Sequence, residues 1–203
     1  MTTIFLCRHG ETEFSRDDRY YFKQNSPLTD VGWRQTESLA TTLCSEPLRA
    51  VFSSPLERAI CTAEQIARRH NLPLDILPTL VEWNPGDWSG LTRREVRSLF
   101  PEEYELWAAD PAVNRPLRGE SFHEVAQRAL PAFLALTKAH PSEVIAVVGH
   151  NTLNRIILAH LLGISLSNCR ARIVQEAGAL NQIRYDSNQG WQINILNSRT
   201  PVS

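Results

Sequence analysis

Two short apolar runs, Thr2 to Cys7 (TTIFLC) and Glu143 to Val148 (EVIAVV), both stop where a histidine meets a glycine. The first ends in Arg8-His9-Gly10 and the second in Gly149-His150-Asn151. Runs of this length, rich in β-branched and apolar residues and cut off by charge or glycine, are expected to be buried strands. Helix-like stretches lie between and beside them. One runs from a Thr29 N-cap to about Leu43, with Trp33, Leu39 and Leu43 as inward positions. Ala50 to Ser53 is a second strand, after which Ser54-Pro55 opens a helix with proline in its first turn, reaching about His70.

Leu74 to Leu77 is a third short strand, followed by an irregular Val81–Gly90. Helical patterns return at Thr92–Phe100 and Pro101–Ala109. Ser121 then starts a long amphipathic helix to about His140 that Pro131 should kink or split. Thr152 to Leu162 is helical, and strand-like runs at Arg172–Val174, Ala179–Tyr185 and Trp191–Leu196 close the chain. Strands alternating with helices predict an α/β fold: a three-layer α/β/α sandwich with a mostly parallel central sheet and an antiparallel edge strand. The 203 residues suit one domain, 1–203, carrying a helical excursion over about 91–140.

In a parallel sheet the carboxyl ends of the strands share one edge, where ligands bind. Four segments then converge there. They are Arg8-His9, Arg58 in the first turn of the helix after the second strand, Glu82 in the irregular segment, and His150. Each alone is an ordinary strand end, helix face or surface charge. Together they are the parts of a covalent phosphoryl transfer. A neutral imidazole attacks phosphorus, guanidiniums hold the equatorial oxygens, and a carboxyl protonates the leaving oxygen. Two arginines can take the place of metal ions, so neither a metal nor another cofactor is expected.

Twenty-one basic residues against 22 acidic ones leave a formal net charge of −1. No global positive field exists to hold nucleic acid or an anionic membrane. Cys7, Cys44, Cys61 and Cys169 form no CxxC pair and read as buried free thiols of a reducing cytosol. Nothing before Arg8 resembles a signal peptide, so a cytoplasmic location is expected. The histidines at positions 70, 123, 140 and 160 sit on or beside helices without a partner motif and read as structural.

The chain resembles the histidine phosphatase superfamily, the phosphoglycerate-mutase-like proteins. The likeness runs in order through Arg8-His9-Gly10-Glu11-Thr12, Ser26-Pro27-Leu28-Thr29 and Ser53-Ser54-Pro55-Leu56 with Arg58-Ala59. It continues through Glu82 with Gly86-Asp87-Trp88-Ser89-Gly90, then Gly119-Glu120-Ser121 and Val148-Gly149-His150. The resemblance implies His9 as the phosphorylated nucleophile, with Arg8, Arg58 and His150 as the phosphate pocket. Glu82 would be proton donor and then base, its carboxyl kept protonated by burial against Trp83 or Trp88.

Ser15 stands where the family usually has asparagine, Tyr21-Phe22 where Gln-Gly is common, and Asn25 where aspartate is typical. Ser15, Tyr21, Phe22 and Asn151 are accordingly the candidate substrate-binding positions, for a small phosphomonoester. The short Leu91–Glu143 stretch favours a phosphatase over a cofactor-dependent phosphoglycerate mutase. A non-catalytic phosphate-binding module of the same fold is the other alternative. A homodimer through the terminal strands stays open.

Overall fold

A computed structural model describes residues 1–199 of the chain. Six strands form one sheet: β1 (Thr2–Arg8), β2 (Leu48–Ser53), β3 (Leu74–Ile76), β4 (Val144–Gly149), β5 (Ala179–Asp186) and β6 (Gly190–Arg199). Their order is β3-β2-β4-β1-β5-β6. The first four run parallel, β1 and β5 pair antiparallel, and β6 closes the same edge as a hairpin with β5. The expected architecture is therefore present, a mostly parallel sheet with an antiparallel edge.

Alternation along the central strands feeds two cores, because successive side chains of a strand face opposite sides of a sheet. Ile4 and Leu6 of β1 join the core under α6 (Phe122–Ala139) and α7 (Asn151–Leu162), which also holds Trp83, Trp88, Trp107 and Phe133. Phe5 and Cys7 face α2 (Asp30–Leu43) and α3 (Glu57–His70). This second core is built from small residues, Ala40, Ala59, Ala63 and Ala67, with Leu39, Leu43 and Ile66. The two faces differ in kind: one is aromatic and thick, the other flat and close-packed.

Along the chain between β3 and β4 come α4 (Arg93–Leu99) and α5 (Pro101–Ala109), joined by Phe100, while α8 (Cys169–Arg172) precedes the edge hairpin. Ser121 caps α6 through a reciprocal bond with Glu124, and Gly163, at φ 66°, ends α7 in the left-handed region.

Several sequence expectations shift. Trp33 is exposed, since the inward stripe of α2 runs through Gly32, Thr36, Leu39, Ala40 and Leu43 and leaves it to one side. The helix after β2 begins at Glu57, so Pro55 lies before its cap rather than in its first turn. Pro131 sits on the solvent face of an unbroken α6, where the carbonyl it deprives of a donor is open to water. Arg172–Val174 is no strand: Arg172 ends α8 and the chain then passes irregularly to β5. The loop after the first motif contains a one-turn helix, α1 (Glu13–Arg16). Of the four free cysteines, Cys7 and Cys169 are buried, whereas Cys44 is exposed and Cys61 half-buried. No helix among the described residues is long and apolar enough to cross a membrane.

Candidate active site

Parallel pairing sets Arg8 opposite Gly149, so the residues just beyond both strands become neighbours. The His9 amide donates to the Gly149 carbonyl at 3.2 Å, and the His9 and His150 rings lie 5.2 Å apart, inclined at 62°. His9 is 1% exposed. Its Nδ1 lies 2.7 Å from the Gly10 carbonyl. A carbonyl only accepts, so Nδ1 carries the proton and the Nε2 lone pair is left free. The turn that fixes this ring has no room for a side chain: a Cβ at Gly10 would fall 2.4 Å from the Gly32 carbonyl oxygen at the start of α2.

Two guanidiniums flank the ring. Arg8 donates through Nη1 to the Gln175 carbonyl at 2.6 Å. Gln175 and Asn181 exchange a reciprocal pair of amide bonds, both 2.9 Å, and Asn181 also donates to the Leu6 carbonyl inside β1. Arg58, in the first turn of α3, donates from Nη2 to the Phe22 carbonyl at 3.0 Å and lies 4.4 Å over the Tyr21 ring. The Nε atoms of Arg8 and Arg58 are buried without a partner among the described residues.

His150 is fully buried, its Nε2 2.7 Å from the Ser54 hydroxyl at the end of β2. Burial first, then the Arg58 charge, hold both histidines well below the ordinary imidazole range; Arg8 adds to the effect. Both rings are therefore neutral near neutral pH.

Glu82 completes the group from the far side. Its Oε1 accepts from the amides of Trp83 at 2.8 Å and Leu153 at 3.0 Å, and Oε2 accepts from the Thr152 amide at 3.0 Å. The carboxyl thus docks on the first turn of α7, the helix that His150 leads into. Trp83, the next residue along the chain, is buried. The sequence model of the histidine phosphatase superfamily (branch 1) matches residues 4–199, all the segments that meet here.

The chain belongs to the histidine phosphatase superfamily.

It is 32% identical over 167 residues to phosphoserine phosphatase 1 of Hydrogenobacter thermophilus, covering 82% of this chain and 79% of that one. It is also 32% identical over 160 residues to the adenosylcobalamin/alpha-ribazole phosphatase of Escherichia coli K12, 79% of each chain. Among solved structures it resembles Bacillus stearothermophilus YhfR, with a TM-score of 0.89 at 29% identity over 96% of both chains.

In this histidine phosphatase the four substrate-side positions divide. Ser15 lines the pocket, but its hydroxyl is bound to the backbone of Thr12 as half of a capping box that starts α1. Tyr21 lines the pocket, accepts from the Thr12 hydroxyl and supports Arg58. Phe22 contributes its carbonyl to Arg58 and its side chain does not line the pocket. Asn151 opens α7 at the pocket wall, its Oδ1 buried without a partner among the described residues.

Sequence reasoning missed the residues that hold the others. Arg128 of α6 uses all five of its N–H donors. They bind the Glu120 carboxylate twice and the carbonyls of Thr79, Val81 and Glu82. Glu120 in turn accepts from the Asn84 amide. The segment carrying Glu82 is therefore clamped, though it has no regular structure at that residue. One signal was available: Arg128 falls between Val125 and Ala129 on the inward stripe of α6, where a charge needs a partner. Gln175 and Asn181 gave no such signal, because amides in a coil and near the start of a strand are ordinary.

Proposed function

We propose that this histidine phosphatase is a metal-independent phosphomonoesterase of the cytoplasm, acting as one domain over residues 1–203 through a phosphohistidine on His9. The observation that carries the reading is the His9 ring, with Nδ1 donating to Gly10 and the Nε2 lone pair presented between two buried guanidiniums. Nε2 attacks phosphorus and the bond from phosphorus to the ester oxygen breaks. Arg8, Arg58 and His150 bind the three other oxygens, where negative charge concentrates in the transition state. The leaving oxygen takes a proton from the Glu82 carboxyl. Water then attacks the phosphohistidine, returns its proton to Glu82, and phosphate leaves with His9 restored.

Three backbone amides hold the Glu82 carboxyl in place for both halves of the reaction. The relatives named phosphatases for phosphoserine and α-ribazole support a small phosphorylated metabolite as substrate.

The test is incubation with p-nitrophenyl phosphate in EDTA, with acid-labile, base-stable phosphate on the protein measured after rapid quenching. Turnover with label on His9, both abolished in His9→Ala, is the expected result. No turnover above the His9→Ala control overturns the reading in favour of a binding module. Isomerised phosphoglycerate formed only with 2,3-bisphosphoglycerate overturns it in favour of a mutase.

A further inference from the structure

Beyond the phosphate-binding residues the site opens into a pocket whose far wall is cationic. Five arginines line it, at positions 8, 19, 93, 155 and 170, against two carboxylates, Asp18 and Glu82. The carboxylates are already engaged. Asp18 pairs with Arg93 at 3.0 Å, and Glu82 is held by backbone amides. Arg19 donates to the Gly90 carbonyl and reaches Glu95.

Arg155 and Arg170 are different. No carboxylate pairs with either among the described residues. Arg155 stands one turn along α7 from Asn151, half-buried, with its Nε enclosed and unpartnered. Arg170 comes from α8 and is laid over the Trp107 ring at 4.3 Å. Burial, reinforced by the charges of Arg170, Arg8 and Arg93, pushes the Arg155 guanidinium down to about 10. Burying two cations side by side without a counter-charge is costly unless an anion arrives to share them.

We propose that Arg155 and Arg170 form a subsite for a second anionic group on the leaving group, a carboxylate or a further phosphate. The Trp107 ring backs Arg170, which lines the pocket and offers the planar fork of donors that suits an oxyanion. The phosphate in transfer sits against His9, Arg8 and Arg58, and the alcohol or sugar it leaves extends past Glu82 towards Asn151 and Arg155. Phosphomonoesters of hydroxy acids and sugar bisphosphates fit this arrangement. A neutral alcohol would leave both arginines uncompensated.

The inference rests on the phosphomonoesterase reading for the word "leaving group", so the experiment measures binding rather than turnover. Calorimetry on the His9→Ala protein compares two matched pairs. One is 3-phosphoglycerate against glycerol 3-phosphate, the other glucose 1,6-bisphosphate against glucose 6-phosphate. At least one doubly anionic ligand is expected to bind about tenfold or more tightly than its partner, as a charge-assisted contact requires. The pair with the larger ratio identifies carboxylate or phosphate as the second anion.

Arg155→Gln and Arg170→Gln, added singly, should each reduce that ratio severalfold, while Arg155→Lys keeps part of it. Equal affinities within both pairs, or a ratio that survives both glutamine substitutions, overturns the proposal. Should a glutamine variant fail to fold, the lysine variant and the salt dependence of the ratio decide instead: a ratio insensitive to both overturns it. Absent turnover in the wild type would sink the hydrolytic reading and leave these affinities to be judged separately.

Discussion

The two sides of the site are built on opposite plans. On the phosphate side, His9 and His150 follow directly from adjacent strand ends, and Arg58 sits one short turn beyond a third. Positions there are set by sheet register and by a backbone contact too tight for any side chain at Gly10. On the leaving-group side, Glu82 comes from an irregular segment, Trp107 from a helix in the excursion, and Arg155 and Arg170 from two later helices. Nothing in the sheet aligns them. They are aligned by side chains, chiefly Arg128 and Glu120 beneath and the aromatic cluster around Trp83, Trp88 and Trp107. In the proposed mechanism, the chemistry common to all phosphomonoesters is thus placed by the fold, and the choice among them by packing that can vary.

The sharpest way to separate the two plans is through Glu82. Glu82→Gln should slow hydrolysis of an alkyl phosphate about 10²- to 10⁴-fold, as loss of an acid–base group does. In the phosphorylation step, read as the burst of nitrophenolate, it should slow p-nitrophenyl phosphate far less, because nitrophenolate leaves without a proton; hydrolysis of the phosphohistidine should slow for both substrates. Equal losses in the two phosphorylation steps would show that Glu82 does not protonate the leaving group.

Next in size is the clamp beneath it. Arg128→Gln leaves the Glu120 carboxylate and three carbonyls without their donor, and should cost about 2–3 kcal/mol in urea unfolding. Its kcat for alkyl phosphates should fall while phosphate inhibition stays as in the wild type. Weaker phosphate inhibition would mean that the two sides are not independent.

Tyr21→Gln removes the ring under Arg58 and probes the phosphate side from its edge. A cation–π contact of about 0.5–2 kcal/mol predicts a roughly two- to thirtyfold rise in the inhibition constant of inorganic phosphate. A change in substrate ranking instead would assign Tyr21 to specificity.

The smallest effect expected is the absence of one. His9 is held below the ordinary imidazole range, so its lone pair persists as pH falls. Between pH 7.5 and 6, kcat/KM for p-nitrophenyl phosphate should not decline on account of His9, whereas an unperturbed histidine near 6.5 would lose about three-quarters of its neutral form at pH 6. A decline of that size that does not move to higher pH in Arg58→Gln would show that the Arg58 guanidinium does not depress His9 in solution.

The same contrast explains what could be read from sequence. Residues at strand ends announce themselves, because an apolar run stopping at Arg8-His9-Gly10 or Gly149-His150 is local and periodic. Glu82 was legible only through its place in an ordered set of motifs. The amides of Thr152 and Leu153, which hold it, lie about 70 residues away along the chain and leave no local signal. Trp33 and Pro131 illustrate the other limit. Helical periodicity locates a stripe to within one position and does not say which neighbour the stripe will meet. Arg155 and Arg170 were invisible for that reason: each is unremarkable on its own helix, and only tertiary packing makes them a pair.

Arg8 reaches its place through Gln175, and Gln175 is locked by a two-bond amide pair to Asn181 in the strand that turns the sheet antiparallel. The terminal hairpin is therefore not decoration on a finished sheet. A change of register between β5 and β1, or exchange of this hairpin with that of another chain, would reposition the guanidinium proposed to hold phosphate without substituting a single residue of the pocket. Anyone recombining domains of this kind should move β1 and the hairpin together.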